Sequence, residues 1–194
     1  MRSKDVRAVR RGYGLQGAGR LRRIHFHLLL AVLALLLARP DFVANLAGTV
    51  LVAAGIGLRV WAAGLLVKGG ELCTQGPYGL VRHPLYLGSF VAALGFCVMM
   101  NVVWAWVIVL PLFVMLYWAQ VRLEENYLRA EYGEAHDEYA RQVPMLVPRL
   151  GRAAGGAGSW RLSQALANRE QYHLLVTAAL VGLFYLRALL GAHP

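Results

Sequence analysis

The chain has 194 residues, of which 58% are hydrophobic and only 15% charged, and its formal net charge is +10. Soluble domains carry roughly 25% charged residues, so this composition excludes an ordinary soluble domain and indicates a small polytopic membrane protein. The two cysteines, Cys73 and Cys97, are too few for a disulfide framework.

Apolar runs predict the membrane-spanning helices. A bilayer core needs about 20 residues of helix, and roughly 17–25 are tolerated. The second, fourth and fifth runs are long enough to span the bilayer core alone, whereas the first and third need flanking residues to do so. The five predicted spans lie at about 24–38, 42–67, 85–100, 102–121 and 172–190.

Two connections between these spans are very short. Only Arg39, Pro40 and Asp41 separate the first two runs, and Asn101 separates the third from the fourth. Because Pro and Asn punctuate helices, both links predict tight helical hairpins. Pro111 predicts a kink in the fourth span, which membrane helices tolerate.

Basic residues lie almost entirely on one side of the predicted spans. Residues 1–23 hold eight, 68–84 hold two and 122–171 hold seven, whereas Arg39 is the single one between spans on the other side. The positive-inside rule therefore predicts that these three segments are cytoplasmic and that the C-terminus is outside. A charge pattern that follows topology argues against nucleic acid as a partner, and the 1–23 arm is predicted to anchor on lipid headgroups.

The segment after the fourth span is charged and predicts further helix. Residues 122–141 are expected to continue the span as a cytoplasmic helix that breaks near Gly133, before Pro144 and Pro148 end it. A short polar helix is expected from 159, ahead of the fifth span. The predicted organisation is a basic arm (1–23), a transmembrane hairpin (24–67), a core (68–150), and a flexible linker with the C-terminal span (151–194).

Polar residues converge at the cytoplasmic ends of spans three and four. Arg82 and His83 directly precede span three, and Glu124 and Glu125 directly follow span four. Since a tight hairpin joins the two spans, these ends must be neighbours. Spacing alone leaves two interpretations open: a structural ion pair, which is the commoner outcome, or a functional site with perturbed charges.

Two of the charged residues have further alternatives. Glu125 has Arg122 and Arg129 at helical spacing, so it can also pair within its own helix. Arg59 lies inside the second span, where it either snorkels to the cytoplasmic end or faces the polar site. The sequence does not choose between these.

No metal site is predicted. His25 and His27 flank the change from basic to apolar sequence, and interface placement is the favoured interpretation because no Cys or carboxylate has a suitable spacing. Cys73 has no neighbour that marks it as a nucleophile.

An ordered set of motifs gives a family resemblance over about residues 70–150. The set resembles that of the isoprenylcysteine carboxyl methyltransferase family and of the related membrane phospholipid N-methyltransferases. Arg-His-Pro alone would be weak, but the combination is specific, although the fifth span departs from the shorter family members. The motifs are Gly76-x-Tyr78-x-x-x-Arg82-His83-Pro84-x-Tyr86, then Glu124-Glu125, then Tyr132-Gly133 with Tyr139, and Val143-Pro144.

The resemblance implies an all-α integral membrane enzyme that binds S-adenosylmethionine at the cytoplasmic face and methylates a lipid-like acceptor. In this scheme His83 and the backbone N–H groups around Leu80 and Val81 hold the carboxylate of the cofactor. Most of the rate acceleration is expected from alignment of the reactants and exclusion of water.

The remaining site residues divide between cofactor and acceptor. Glu124 is expected to bind the cofactor's ammonium or ribose hydroxyls, and Tyr78 or Tyr86 to lie against adenine or the sulfonium. Arg82 is the candidate for positioning or polarising the acceptor. Glu125 is the candidate for orienting Arg82 or for acting as base toward an amine.

The acceptor atom stays open at this point. A carboxylate acceptor favours the cation and an amine acceptor favours the anion, and both charges are present. The first expectation is O-methylation of a lipid or prenylated small molecule. The alternatives are phospholipid N-methylation and a non-catalytic scaffold or carrier. A chain rich in Ala, Leu and Arg with two Lys favours a GC-rich bacterial source, hence an inner-membrane location.

Overall fold

The computed structural model describes residues 35–67, 70–148, 156 and 158–191. Within these residues the regular structure is helical throughout, which confirms the predicted all-α fold. Residues 35–37 are helical, and Pro77–Gly79 forms one turn of 3₁₀ helix. The α-helices are α1 (Phe42–Ala63), α2 (Pro84–Met100), α3 (Leu110–Tyr132), α4 (Glu134–Gln142), α5 (Leu162–Ala167) and α6 (Glu170–Gly191).

Three helical stretches of the described chain are long and apolar enough to cross a membrane: Phe42–Ala63, Ala105–Tyr132 and Glu170–Gly191. The apolar α2 has 17 residues, at the lower limit of a spanning helix. A polytopic membrane protein is therefore confirmed. Most of the first predicted span, 24–38, lies outside the described residues.

Helices α1 and α2 form the most extensive helix pair of the described fold, and glycines allow their close approach. A Cβ atom at Gly88 would lie 2.5 Å from the carbonyl oxygen of Gly55, and one at Gly95 would lie 2.6 Å from that of Gly48. Both pairs are seven residues apart on antiparallel helices. Small residues at such positions are the usual means by which membrane helices pack.

The two short connections meet at one end of the bundle. Asp41 caps α1 by accepting a hydrogen bond of 2.8 Å from the Ala44 N–H. Asn101 ends α2 with φ of 50°, as a left-handed residue, and its Nδ2 donates to Asp41 Oδ2 over 2.8 Å. The Arg39 N–H donates to the Met100 carbonyl over 3.0 Å. The predicted hairpin turn at Asn101 is present.

The helical turn that leads into α3 is irregular, and it lies close to a proline. A π-helical turn at Ala105–Val109 directly precedes Pro111, whose ring nitrogen has no N–H to donate. Beyond the predicted span end at 121 the helix continues to Tyr132. It stops at Gly133, where φ is 55°, before α4 begins. The break predicted near Gly133 is therefore observed.

The C-terminal segment closes the end of α1. Asn168 Nδ2 donates to the carbonyls of Ala63 and Leu66 over 2.8 and 2.7 Å, and the Arg161 N–H donates to Gly64 over 3.0 Å. These are carbonyls that a helix end leaves without partners. Helix α1 consequently ends at Ala63, four residues before the predicted end of the second span.

Candidate functional site

A cavity of about 310 Å³ lies where α1 ends and α2 begins, and we call it the motif cavity. Its walls come from the loop after α1, the start of α2, the second half of α3 and α4. Five tyrosines line it: Tyr78, Tyr86, Tyr127, Tyr132 and Tyr139. The cavity also contains Arg82, His83 and Glu124 in its lining, so it includes most of the predicted site residues.

Arg82 binds Glu125 through two hydrogen bonds. Its Nε lies 3.0 Å from Glu125 Oε1 and its Nη2 lies 2.8 Å from Oε2, and both side chains are largely buried. Its Nη1 donates to the carbonyls of Ala140 and Val143 over 3.0 and 2.8 Å. One guanidinium therefore ties the start of α2 to α3 and to the end of α4, with the bidentate geometry that suits arginine.

His83 is the second partner of the same carboxylate. Its Nε2 lies 2.6 Å from Glu125 Oε1, and the residue is only 3% exposed. The backbone N–H groups of Arg82 and His83 donate to Pro144 and Met145 over 2.9 and 3.2 Å. The structure thus brings together the three residues that connectivity predicted to be neighbours.

The alternative partners within α3 are not used by Glu125. Arg129 instead pairs with Asp137 at 2.8 Å, and the Arg122 guanidinium lies 5.4 Å from the centre of the Trp118 ring. Glu125 projects from α3 towards the start of α2, where it accepts hydrogen bonds from Arg82 and His83.

Two polar groups of the motif cavity have no partner among the described residues. The Tyr78 hydroxyl is buried without a hydrogen bond, and burial raises the pKa of Tyr78 well above its usual range. The half-buried Glu124 carboxylate lines the cavity and makes no ion pair with any described residue. Buried polar groups normally find partners, so unpaired ones in a concave site suggest a ligand.

Leu80 and Val81 are placed differently from the other predicted residues. Both backbone N–H groups donate to the Pro77 carbonyl over 3.1 Å, inside the 3₁₀ turn, and Val81 is only 1% exposed. Binding a carboxylate with these N–H groups would require the turn to open. Tyr86, by contrast, lines the cavity and contacts the His83 ring edge to face at 5.7 Å.

His136 on α4 is a neighbour of the site that the sequence interpretation missed. It is 3% exposed, its Nε2 lies 3.8 Å from Glu125 Oε2, and neither ring nitrogen has a hydrogen bond. Burial is the largest influence on this group and lowers the pKa of His136. Its spacing of three residues from the buried Tyr139 was a helical signal that could have identified it.

Arg59 follows neither of its predicted alternatives. Its Nε and Nη2 lie 3.1 and 2.7 Å from the two oxygens of Glu170, at the start of α6. Its Nη1 donates to Ser89 Oγ over 2.6 Å and to the Leu85 carbonyl over 3.1 Å. The pair is almost fully buried and joins α1, α2 and α6, so Arg59 neither snorkels nor lines the motif cavity.

Part of the chain, which carries most of the site residues, matches a known family model. Residues 43–135 match the family model described as phospholipid methyltransferase. The resemblance predicted from the motifs is thereby confirmed. The match includes Arg82, His83, Glu124 and Glu125, and ends before α5 and α6.

Several named relatives also match part of the chain. It is 38% identical over 95 residues to the nickel-cobalt-cadmium resistance protein NccN of Alcaligenes xylosoxydans xylosoxydans, covering 47% of this chain and 44% of the relative. It is 36% identical over 75 residues to methanethiol S-methyltransferase of Crocosphaera subtropica, covering 39% and 28%. Identity is 35% over 81 residues with protein-S-isoprenylcysteine O-methyltransferase of Schizosaccharomyces pombe, covering 40% and 33%.

The chain thus spans less than half the length of these relatives. No solved structure matches it significantly. Two of the three relatives are named as methyltransferases, and their printed names refer to different acceptor atoms, sulfur and oxygen.

Proposed function

We propose that this protein is an integral membrane methyltransferase that uses S-adenosylmethionine and acts on a lipid-like acceptor. The observation that supports this most is the motif cavity, most of whose lining residues lie within the family-matched segment. One side of it carries the Arg82–His83–Glu125 cluster, and the Tyr78 hydroxyl and Glu124 line it without partners among the described residues.

The cavity lining fits such a cofactor. Five tyrosine rings supply the π-faces that attract a sulfonium or stack on adenine. Glu124 supplies a carboxylate for the ammonium or the ribose hydroxyls. The volume of about 310 Å³ is at the lower end of the roughly 300–1,000 Å³ of small-molecule sites. When bound, this cofactor supplies an electrophilic methyl group.

His83 can serve the cofactor through only one ring nitrogen. Nε2 is engaged by Glu125, which leaves Nδ1 for the cofactor carboxylate. With Nε2 donating its proton to Glu125, the neutral ring would present Nδ1 as an acceptor, whereas the doubly protonated ring donates from both. Binding a carboxylate here therefore requires the protonated form of His83.

Arg82 and Glu125 act first by fixing geometry. Four donated hydrogen bonds from Arg82 hold α3 and the end of α4 against the start of α2, and so hold the cavity walls in place. Correct alignment in a displacement reaction is worth up to about 7–11 kcal/mol, so rigid walls serve the reaction directly. The walls also exclude water from the reacting methyl group.

O-methylation of a carboxylate is the first proposal for the acceptor, with Arg82 polarising it. N-methylation of a phospholipid amine is the second. The matching family model favours the second. Glu125 would be a weak base for it: burial raises the pKa of this carboxyl, but the hydrogen bonds from His83 and Arg82 outweigh burial and lower that pKa to about 2. A non-catalytic scaffold or carrier is the proposal of a different class.

A cofactor-binding measurement distinguishes the enzyme proposal from the scaffold proposal. Purified protein in detergent is heated with S-adenosylmethionine or with its demethylated product. A ligand at about 100 times its Kd stabilises the folded state by about 2.7 kcal/mol, so both should raise the unfolding temperature. No shift with either compound at saturating concentration would favour the scaffold.

The acceptor atom is determined by label chemistry. Membranes that contain the protein are incubated with methyl-labelled cofactor, and extracted lipid is treated with alkali. Release of labelled methanol indicates an ester, as O-methylation predicts. Label that resists alkali indicates methylated nitrogen, as the second proposal predicts.

We further propose a multi-pass location in a bacterial inner membrane, with the motif cavity on the cytoplasmic side. The arginine distribution supports this orientation, because 17 basic residues outside the spans lie on the motif side and one on the other. Alkaline phosphatase fused to the C-terminus should then be active, since it folds only outside the cytoplasm. A fluorescent C-terminal fusion that is active only in the cytoplasm should be dark, and the opposite result would reverse the orientation.

A further inference from the structure

The C-terminal segment ahead of α6 packs against the loop that forms one wall of the motif cavity. We call residues 158–169 the brace, and the described residues between α1 and the 3₁₀ turn, 64–67 and 70–76, the cavity loop. Leu66, Val67 and Cys73 are cavity-loop residues that line the motif cavity. The brace lies outside the family-matched segment, and none of the proposed site residues belongs to it.

Two side chains of the brace bind backbone carbonyls at the end of α1 and in the cavity loop. Gln164 Nε2 donates to the Leu66 carbonyl over 2.7 Å. Asn168 Nδ2 donates to the same carbonyl over 2.7 Å and to the Ala63 carbonyl over 2.8 Å. A helix end leaves such carbonyls without partners, so these two donors fix the backbone of a residue that lines the motif cavity.

The start of the brace packs closely on both ends of the same loop. Trp160 Nε1 donates to the Val60 carbonyl over 3.2 Å, and its ring lies so close to Gly64 that a Cβ atom there would clash with it. A Cβ atom at Gly158 would likewise clash with the Gln75 side chain. A displacement of the brace would therefore be transmitted to the wall of the motif cavity.

The exposed surface of the brace is apolar and basic. Leu162 and Leu166 lie four residues apart on α5, hence on one face, and are 60% and 46% exposed. Trp160 is 43% exposed although it donates its N–H. Arg161 and Arg169 are exposed as well, and neither forms an ion pair with another described residue. The brace thus presents two cations beside three apolar side chains.

This surface lies where two spanning helices meet the membrane boundary. The brace continues into α6 at Glu170 and is bonded to the end of α1 at Ala63, and both helices are long and apolar enough to cross a membrane. Trp and Leu side chains with neighbouring Arg are typical of segments that bind the headgroup layer. Because the cations attract anionic lipids, charge complementarity identifies an anionic bilayer surface as the partner.

We propose that anionic lipid headgroups bind the exposed surface of the brace, and that this contact holds the cavity loop in the arrangement that binds the cofactor. The inference rests on the proposed function and adds a regulator to it. A lipid that binds the docked brace more tightly than the undocked one shifts the population towards the docked state. The affinity of the motif cavity for the cofactor should therefore rise with the anionic lipid content of the bilayer.

The test compares cofactor binding by the whole protein in bilayer discs of two compositions. One contains phosphatidylcholine alone, and the other an equal mixture of phosphatidylcholine and phosphatidylglycerol. The probe is S-adenosylhomocysteine, the demethylated cofactor, because it has no net charge near neutral pH and an anionic surface does not concentrate it. Titration calorimetry should give a Kd about fivefold lower in the mixed discs, which is a typical size for coupling between two sites.

The double variant Arg161→Gln, Arg169→Asn removes both cations from the brace. Asparagine suits position 169, where φ is 66°. The variant should keep the Kd of the parent in phosphatidylcholine and lose the gain in affinity in the mixed discs. Arg122→Gln is the matched control, since Arg122 is an exposed arginine of α3 outside the brace, and it should keep the gain. A gain that survives in the double variant, or that disappears equally in the control, would overturn the inference.

Gln164→Met tests the contact between the brace and the cavity loop separately. It keeps the length of the side chain and removes the donor to the Leu66 carbonyl, so the Kd for the demethylated cofactor should rise about fivefold in both disc compositions. The unfolding temperature without cofactor is measured beside it. A lower unfolding temperature with an unchanged Kd would show a purely structural contact and would contradict the coupling.

The same titrations separate failure of this inference from failure of the proposed function. Binding by the parent with the same Kd in both compositions would refute the lipid coupling and leave the cofactor site in place. No binding of the demethylated cofactor in either composition would refute the proposed function and the inference with it. Binding that tightens in the mixed discs only when Arg161 and Arg169 are present supports both.

Discussion

Glu124 and Glu125 are adjacent in the sequence but differ in their surroundings. Glu125 accepts hydrogen bonds from both Arg82 and His83, whereas Glu124 lines the motif cavity without a partner among the described residues. The first carboxylate is part of the protein's own structure, and the second is available to a ligand. Two conservative substitutions can therefore separate stability from binding.

Glu124→Gln should weaken cofactor binding and leave the protein stable. Loss of one charge-assisted hydrogen bond corresponds to about tenfold in Kd, and the unfolding free energy should change by less than about 0.5 kcal/mol. Glu125→Gln leaves Arg82 unpaired and should cost about 2–3 kcal/mol of stability, because the pair is mostly but not fully buried. Titration calorimetry and thermal unfolding of both variants measure these effects, and the reversed pattern would refute the assignment of the two roles.

His136 predicts a pH dependence of stability. Burial lowers the pKa of His136 in the folded protein, so the unfolded chain takes up a proton at a higher pH than the folded chain does. Stability from this residue is complete above the ordinary histidine pKa of about 6.5 and is lost as pH falls below it. The free energy of unfolding should fall by at most about 1.4 kcal/mol for each pH unit through this residue.

The variant His136→Phe keeps a planar ring at this position and removes the titratable group. Unfolding temperatures measured between about pH 7.5 and pH 5 should fall more steeply in the parent than in the variant. The pH dependence that remains in the variant comes from other groups, such as Asp137, whose pKa is lowered by its hydrogen bond with Arg129. Equal slopes would mean that His136 is already protonated in the fold, through its neighbours Glu125 and Asp137.

Among the elements, the α1–α2 pair depends on glycines at its contact. Gly88→Ala places a Cβ 2.5 Å from the Gly55 carbonyl, so the backbones must separate, at a cost of about 1–3 kcal/mol. Gly57→Ala, on the open side of α1, has no atom within 4 Å and should stabilise by up to about 1 kcal/mol. Thermal unfolding of the two variants is the measurement. Similar effects at the two positions would show that helix propensity, not packing, governs this pair.

Sequence patterns predicted the features that depend on local chemistry and connectivity. The second predicted span, 42–67, corresponds to Phe42–Ala63, and the fifth, 172–190, corresponds to Glu170–Gly191. The meeting of Arg82 and Glu125 followed from the hairpin at Asn101, because one short turn fixes which helix ends are neighbours.

Features that depend on three-dimensional packing were not predictable in this way. The Arg59–Glu170 pair joins residues 111 apart, and hydropathy gives no rule for which face of α6 meets α1. The resemblance assigns the N–H groups of Leu80 and Val81 to a ligand, whereas in the structure both donate to the Pro77 carbonyl, in a 3₁₀ turn that the sequence pattern does not predict. Which residues are neighbours was therefore predicted better than which hydrogen bonds they make.

At the scale of the whole molecule, the C-terminal helix is joined to the family-matched segment by buried charge. Glu170→Gln should destabilise the protein by about 3–5 kcal/mol, because Arg59 is left charged and unpaired between the helices. The double variant Arg59→Met, Glu170→Met removes both charges and should recover most of that loss. Thermal unfolding of the single and double variants measures these stabilities. A double variant no more stable than the single one would contradict a role for charge pairing.

Methyl transfer is the central claim, and one measurement addresses it directly. Membranes that contain the parent protein, the Glu124→Gln variant or neither are incubated with methyl-labelled S-adenosylmethionine, and label in extracted lipid is counted. We expect label above background with the parent, about tenfold less with the variant at low cofactor concentration, and recovery at high concentration. Label no higher than background with the parent, at matched protein levels, would contradict the account.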